Sequence, residues 1–311
     1  MHSHDVPRRA FLKLSALGVA GAGFSTLRLS SADRSETNER SENAGHDFGV
    51  SGAPVSARAP DDRGVKLGVA SYSFRNFSRA QAIEMTKALG TRFINLKSVH
   101  LAYDASPAEV ATARQEVEAA GLVIVGGGMI TFETDTDDGV RKYFDYAKGA
   151  GMPLIVGTCK PAVLSRVEKF AKLYDIKVAI HNHGPEDENF PSPYDALKAV
   201  RNMDARMGLC IDMGHTVRTG TDVVKAVVDA GPRLLDMHAK DLRDLKVAES
   251  QCIVGEGKIP IPEIFRRLEA MRFPGYVNLE YEIEADNPLP GMKQSFSYMR
   301  GALAGIAAAT T

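Results

Sequence analysis

The chain has 311 residues, which is enough for one large domain or two ordinary ones, and hydrophobic residues make up 44% of it, enough for a sizeable core. Its formal net charge of -1 excludes the strong basic field that is typical of proteins binding nucleic acid or acidic membranes. The three cysteines form no CxxC pair, which disfavours a cysteine zinc site, and their odd number disfavours a disulfide framework.

The first 30 residues have the character of an export signal. Arg8 and Arg9 precede an apolar stretch from Leu14 to Phe24, which is about half of the ~20 residues that a membrane-spanning helix needs. The paired arginines resemble a twin-arginine signal, which predicts a periplasmic protein; an uncleaved segment would act as an anchor. Residues 31–63 are rich in Ser, Asp, Glu, Arg, Gly and Ala without apolar periodicity, and they predict a disordered linker.

Residues 64–311 alternate between strand-like apolar runs and helix signals. The runs are Val65–Tyr72, Arg92–Leu96, Leu122–Gly127, Pro153–Thr158, Val178–His183, Leu209–His215, Leu234–His238 and Tyr276–Glu280. Helices are expected to begin at Ser78, at the capping box that starts with Ser106, and near Asp137, Ser192, Thr221, Pro260 and Met292, with one more ending past Phe170 and Leu173.

Eight strand–helix units in about 250 residues predict an α/β fold, a (β/α)8 TIM barrel. An open doubly wound sheet is the alternative, but no GxGxxG follows the first run, which disfavours a dinucleotide-binding fold.

Each of the last four runs carries, at or near its end, a residue that binds metal or moves protons. These residues are His181, Asp212, His238 and Glu280. The carboxyl ends of barrel strands converge on one mouth, and neighbouring strands lie about 4.8 Å apart. Two imidazoles and two carboxylates suit manganese, zinc, cobalt or iron better than calcium. The sequence therefore predicts one divalent metal ion.

The motifs around these residues resemble those of the xylose-isomerase-like TIM-barrel superfamily of sugar isomerases and epimerases, which also includes inositol-pathway dehydratases and apurinic-site endonucleases. The motifs are His181-Asn182-His183, Asp212-Met213-Gly214-His215, His238 with Lys240-Asp241, Val254-Gly255-Glu256-Gly257 and Gly275-Tyr276-Val277-Asn278-Leu279-Glu280. The resemblance implies that Asp212, His238 and Glu280 are metal ligands and that His215 contacts substrate. The first ligand of the epimerases is a glutamate, whereas this chain has His181.

That departure bears on the reaction. A metal-bound imidazole is a poor base, because its lone pair is committed to the metal, so symmetric two-base epimerisation is not expected. Proton abstraction next to a carbonyl of a carbohydrate or cyclitol fits better, with Glu280 as candidate base and His183 and Glu186 as alternatives. Reprotonation would make the enzyme an isomerase or epimerase, and loss of a leaving group would make it a lyase or dehydratase of a keto-sugar or keto-glycoside.

Several further residues are candidates for binding substrate. Lys97 ends the second run, Lys160 follows the fourth, and Lys240 lies two residues past His238. Each could bind a sugar oxygen or stabilise an oxyanion, with a solvated charge as the competing interpretation. Tyr72 could stack on a sugar face or pack in the core.

Two other function classes compete with the enzyme. Hydrolysis of nucleic acid is disfavoured, because only five histidines remain after residue 63 and the net charge is close to zero. A non-catalytic sugar-binding barrel stays open and would show no bound metal. The expected partner is a small sugar or sugar derivative, free rather than phosphorylated because of the export signal, with no nucleic acid and no membrane beyond the signal. A homo-oligomer is left open.

Overall fold

A computed structural model of the protein describes residues 64–309, so the predicted signal (1–30) and linker (31–63) lie outside the described residues. Eight parallel strands close into a barrel in which each strand pairs with its neighbours in sequence and the eighth returns to the first. The strands are β1 (Lys66–Ala70), β2 (Phe93–Leu96), β3 (Val123–Phe132), β4 (Leu154–Cys159), β5 (Lys177–His181), β6 (Met207–Asp212), β7 (Leu234–Ala239) and β8 (Tyr276–Leu279). The predicted (β/α)8 TIM barrel is confirmed.

Helices surround the barrel. They are α1 (Arg79–Ala88), α2 (Pro107–Ala119), α3 (Asp137–Gly149), α4 (Leu164–Tyr174), α5 (Pro193–Val200), α6 (Met213–Arg218), α7 (Val223–Ala230), α8 (Ile261–Ala270) and α9 (Leu289–Ala308). Among residues 64–309, none of them combines the length and apolarity needed to cross a bilayer.

Local chemistry accounts for these elements. Capping boxes at Ser78 and Ser106 satisfy the first backbone N–H groups of α1 and α2; the sequence predicts a cap at Ser78 and the full box at Ser106. The barrel-facing stripe of α8 consists of Ile261, Ile264 and Leu268 together with Phe265, all fully buried and spaced three or four residues apart.

The structure differs from the sequence-based prediction in two places that matter for the site. Helix α6 was not predicted, and it begins directly after β6 because the Asp212 carboxylate accepts the His215 backbone N–H and caps it. Strand β3 continues to Phe132 instead of ending at Gly127. A register shift there depends on Gly128, whose φ of 111° and close approach to the Val156 carbonyl leave no room for a Cβ.

A polar layer fills the barrel interior one step below the strand ends. Asp236, Asn278 and Cys210 lie two residues before His238, Glu280 and Asp212, and all three side chains are buried. The Asn278 amide donates a hydrogen bond of 2.9 Å to Asp236, and the Cys210 thiol lies 3.8 Å from its other oxygen. Burial raises the pKa of Asp236 to about 8 although Lys97 opposes the shift, so this carboxyl is largely protonated at neutral pH.

The loop after β7 is organised by a single carboxylate. Asp241 is buried and accepts four backbone N–H groups, from Leu242, Gly255, Gly257 and Ile259, at 2.9 to 3.1 Å. A Cβ at Gly257 would lie 2.1 Å from the Asp241 oxygen, so only glycine allows this approach. The carboxylate therefore fixes the segment that connects the short antiparallel strands, Asp241–Leu242 and Gln251–Cys252, to the start of α8.

We expect Asp236→Asn to reduce the pH dependence of stability. The folded-state pKa of about 8 lies above the ordinary value of 3.8, so the wild-type protein loses stability as pH rises through that interval, whereas asparagine has no proton to lose. Urea unfolding of metal-free protein at about pH 5 and about pH 8 should show a smaller loss for the variant. Asp222→Asn, at an exposed helix cap, is the control. Equal losses in the wild type and Asp236→Asn would contradict this prediction.

Asp241→Asn should destabilise the protein by about 2–4 kcal/mol, because an amide NH2 would then face two backbone N–H donors of the loop. Equilibrium urea unfolding measures the change. Asp244→Asn makes the same substitution in an exposed turn where one N–H is accepted, and its effect should stay below about 1 kcal/mol. A similar unfolding midpoint for both variants would refute the organising role of Asp241.

Candidate metal centre and active site

Four side chains converge at the carboxyl ends of β5 to β8. One nitrogen or oxygen from each of His181, Asp212, His238 and Glu280 lies within 4.8 Å of the others, and all four residues are buried. His238 Nδ1 lies 3.1 Å from His181 Nε2 and 3.2 Å from Glu280 Oε2. Asp212 Oδ2 lies 3.8 Å from His181 Nε2. The structure thus brings together the four residues predicted as metal ligands.

This arrangement fits a divalent cation. Nitrogen and oxygen ligands bind such ions at about 2.0–2.2 Å, so two ligands of one ion are expected about 3–4 Å apart. Asp212 Oδ2 is buried and meets no hydrogen-bond geometry with the described residues; its neighbours are His181 Nε2 at 3.8 Å, His238 Nδ1 at 4.0 Å and the Lys240 ammonium at 3.2 Å, so this oxygen can serve as a ligand. Two imidazoles with two carboxylates match manganese, iron, cobalt and zinc. These four residues could hold one such ion.

The position of Asp212 is set by its surroundings. Its Oδ1 accepts the His215 backbone N–H at 2.8 Å, and its own N–H donates to Asn182 Oδ1 at 3.1 Å. The Thr216 hydroxyl donates to the Asp212 carbonyl at 2.6 Å and accepts from the Asn182 amide at 3.1 Å. Sequence reasoning assigned no role to Asn182 or Thr216; the position of Asn182 between His181 and His183 was the available signal.

Two buried lysines neutralise the carboxylates. Lys97 Nζ lies 3.1 Å from Glu280 Oε1, and Lys240 Nζ lies 3.3 Å from Glu280 Oε2. Lys240 also approaches Asp212 Oδ2 at 3.2 Å and Glu282 Oε2 at 2.6 Å. Lys97 and Lys240 therefore lie at the cluster itself, and Glu282 is a neighbour that the sequence analysis missed.

These contacts set the charge states. Burial opposes ionisation of Glu280, but His238, Lys97 and Lys240 hold its pKa well below the usual range. Burial likewise opposes ionisation of Asp212, and Lys240 with the nearby imidazoles keeps its pKa well below the usual range. Burial lowers the pKa of His238 to about 4 despite Glu280. Ionised carboxylates and neutral imidazoles are the forms that bind metal.

His183 and His215 adjoin the cluster on its outer side. Their ring centroids are 4.4 Å apart, and they lie 5.5 Å and 5.8 Å from the His181 ring. His183 is exposed and His215 half-buried. Burial, followed by repulsion from Lys240 and the other imidazoles, lowers the pKa of His215 to about 3 against the attraction of Asp212, so the ring is neutral at neutral pH.

The remaining predicted residues lie at the surface. Lys160 is exposed directly after β4, and Tyr72 is 37% exposed after β1 with the Arg75 guanidinium 5.2 Å from its ring. Neither forms a hydrogen bond or ion pair with the four-residue cluster in the part of the chain that the structure describes. Their substrate-binding roles remain predictions. Glu186 is exposed and forms an ion pair with Arg218.

Arg218 is a further residue at the mouth that sequence reasoning missed. Its side chain is only 8% exposed, and its Nη1 lies 3.2 Å from His215 Nδ1. The available signal was its spacing of three residues from His215, which places both on one face of a helix. Because α6 was not predicted, this spacing of three residues could not be interpreted as a contact along a helix.

Comparison with known proteins agrees with this fold. A family model described as a xylose isomerase-like TIM barrel matches residues 161–302, the half of the barrel that contains all four candidate ligands. No curated protein gives a significant match.

Solved structures match over most of the chain. An uncharacterised protein from Parabacteroides distasonis is 25% identical, with a TM-score of 0.60 and coverage of 76% of this chain and 98% of that one. The probable 3-DHS dehydratase AsbF from Bacillus anthracis is 14% identical, with a TM-score of 0.62 and coverage of 76% and 99%. D-psicose 3-epimerase from Clostridium cellulolyticum is 14% identical, with a TM-score of 0.63 and coverage of 77% and 99%.

The identities to the dehydratase and the epimerase are low, so these two similarities concern the fold. The family match covers the second half of the barrel, where the motifs predicted from the sequence lie. Together they confirm the resemblance: the chain folds as a TIM barrel, and its second half matches the xylose isomerase-like family model.

Proposed function

We propose that the protein is a divalent-metal-dependent isomerase or epimerase that removes a proton next to a carbonyl of a carbohydrate or cyclitol. The observation that carries the proposal is the convergence, within 4.8 Å at the mouth of the barrel, of one nitrogen or oxygen atom from each of the four candidate ligands. The likeness in fold to D-psicose 3-epimerase supports it. A free sugar or glycoside is the expected substrate class if the predicted export signal directs the protein to the periplasm.

Charge at the site favours an anionic intermediate. The carboxylates of Asp212, Glu280 and Glu282 and the ammonium groups of Lys97 and Lys240 leave a formal charge of -1. When bound by the four ligands, a divalent cation supplies Lewis-acid polarisation of a substrate oxygen. It would also change the formal charge of the site to about +1, which complements the single negative charge of an enediolate.

The contacts of Lys97 and Lys240 distinguish Glu280 from His183 as candidate bases. Glu280 has both oxygens in contact with ammonium groups, and a carboxylate with a strongly lowered pKa is a weak base. It is better suited to hold the cation. His183 is exposed beside His181 and His215, where a substrate entering the mouth would meet it. We therefore place the proton-accepting role on His183 first.

Elimination is the second candidate. In the epimerases that this chain resembles, the position of His181 is a glutamate that acts as one of two bases. An imidazole whose lone pair is bound to a metal cannot replace that base. A one-base site can complete either reprotonation or loss of a leaving group from the neighbouring carbon. The fold likeness to a probable 3-DHS dehydratase is in keeping with the second outcome.

Asp212→Asn should lower divalent-cation affinity roughly 100-fold or more, because even groups that only orient a ligand contribute 10-fold to 100-fold. Elemental analysis after chelation and reloading, with titration by manganese or zinc, measures the change. Asp222→Asn alters an exposed helix cap in the same way and should keep full metal content. Equal metal content in the two variants, or none in the wild type, would count against the metal centre and favour a sugar-binding barrel.

A screen of free and 3-keto sugars with manganese-reconstituted protein in D2O should show incorporation of one solvent deuteron at a carbon next to the carbonyl. His183→Asn should slow this exchange about 100-fold to 10,000-fold if His183 is the base, whereas Lys177→Met, at the exposed start of β5 and the opposite end of the barrel, should change it little. NMR of the quenched products gives both the exchange and the product. Released aglycone or water-eliminated product would establish the lyase, and absence of exchange with every sugar would contradict the proposal.

A further inference from the structure

We infer that Arg218 is a positioning residue that fixes His215 as the neutral imidazole with its proton on Nε2. His215 then meets substrate as a hydrogen-bond donor and not as a base. The tautomer is a property of the protein alone; the use made of it rests on the proposed function.

The inference follows from the hydrogen-bonding capacity of the two groups. A guanidinium carries only N–H donors and keeps its proton at any pH that the folded protein tolerates. Arg218 Nη1 lies 3.2 Å from His215 Nδ1, so Nδ1 must supply the lone pair of this hydrogen bond. In a neutral imidazole with a lone pair on Nδ1, the proton is on Nε2. The other tautomer and the imidazolium would both direct an N–H at the guanidinium.

The guanidinium is held in place by a separate loop. Its Nη2 forms an ion pair with Glu186, which lies in the loop after β5, while Arg218 itself is the last residue of α6. Gly184 in the same loop has a φ of 90°, and a Cβ there would lie 3.1 Å from both Arg218 Nη1 and His215 Nδ1. Glycine at position 184 therefore leaves room for the contact between Arg218 and His215. Glycine also suits the positive φ of the loop at this position.

The other ring nitrogen is free to act. Within residues 64–309, His215 Nε2 forms no hydrogen bond, and the ring lies 4.4 Å from that of His183 and 5.8 Å from that of His181. A neutral N–H donor beside the candidate cation site suits a carbonyl or developing enediolate oxygen of the substrate. Because this donor cannot accept a proton at the same nitrogen, the base must be another residue.

Nitrogen-15 NMR of the imidazole side chains tests the inference directly. In full-length, zinc-loaded protein, with the signals assigned by a His215→Asn variant, we expect His215 Nδ1 to resonate as an unprotonated and Nε2 as a protonated ring nitrogen near neutral pH. Arg218→Met should remove this preference, giving averaged or exchanged shifts for the two nitrogens. A protonated Nδ1 in the wild type, or unchanged shifts in Arg218→Met, would overturn the inference.

Two further variants keep the result interpretable. Arg218→Lys retains a cationic donor and should recover the wild-type tautomer at least in part, which a general loss of structure would not allow. Arg206→Met removes a guanidinium that forms ion pairs at the opposite end of β6 and should leave the His215 signals unchanged. Loss of the tautomer in Arg206→Met, or no recovery in Arg218→Lys, would contradict a specific role for Arg218.

Activity provides the second measurement. In the isotope-exchange assay, Arg218→Met should lower kcat roughly 10-fold to 100-fold at unchanged metal content, the size of effect found for groups that orient a functional imidazole. Unchanged kcat with a changed tautomer would remove the functional part of the inference. If wild-type protein exchanges no sugar, the proposed function fails while the NMR result still decides the tautomer, so the two failures are distinguishable.

Discussion

The contact of one buried carboxylate with two buried ammonium groups is the interaction on which the mouth of this barrel depends. Glu280 lies between Lys97 and Lys240, and Lys240 reaches on to Asp212. An isolated buried charge costs several kcal/mol, so each of these groups is tolerated because the others are present. These charged residues lie at the ends of β2, β6, β7 and β8. The four strands must therefore pair in one register for the buried charges to be compensated.

Much of this architecture could be predicted from the sequence. Apolar runs at regular spacing, each followed by a helix signal, specify a (β/α)8 barrel, because strand and helix periodicities are local properties of the chain. The residues at the ends of the last four strands could be grouped as well, since barrel closure alone brings the ends of adjacent strands together. His181, Asp212, His238 and Glu280 meet for that reason.

The remaining features depend on side-chain reach and exact register, which periodicity does not encode. Lys97 and Lys240 were candidates for binding substrate, with a solvated charge as the competing interpretation, and their burial against Glu280 could not be predicted. No function could be predicted for Arg218, because its contact with His215 depends on α6. This helix is too short to be recognised from sequence periodicity. Asp236 read as part of an apolar strand, and its burial beside Asn278 becomes visible only when the barrel closes.

The two oxygens of the Asp212 carboxylate have different neighbours, one in a helix and one in the candidate metal site. Oδ1 starts α6 through the His215 N–H, and Oδ2 faces the candidate cation position. Loss of this carboxylate would therefore remove one candidate ligand and release the first turn of the helix that carries His215 and Arg218, so a single substitution at Asp212 would disturb both sides of the mouth.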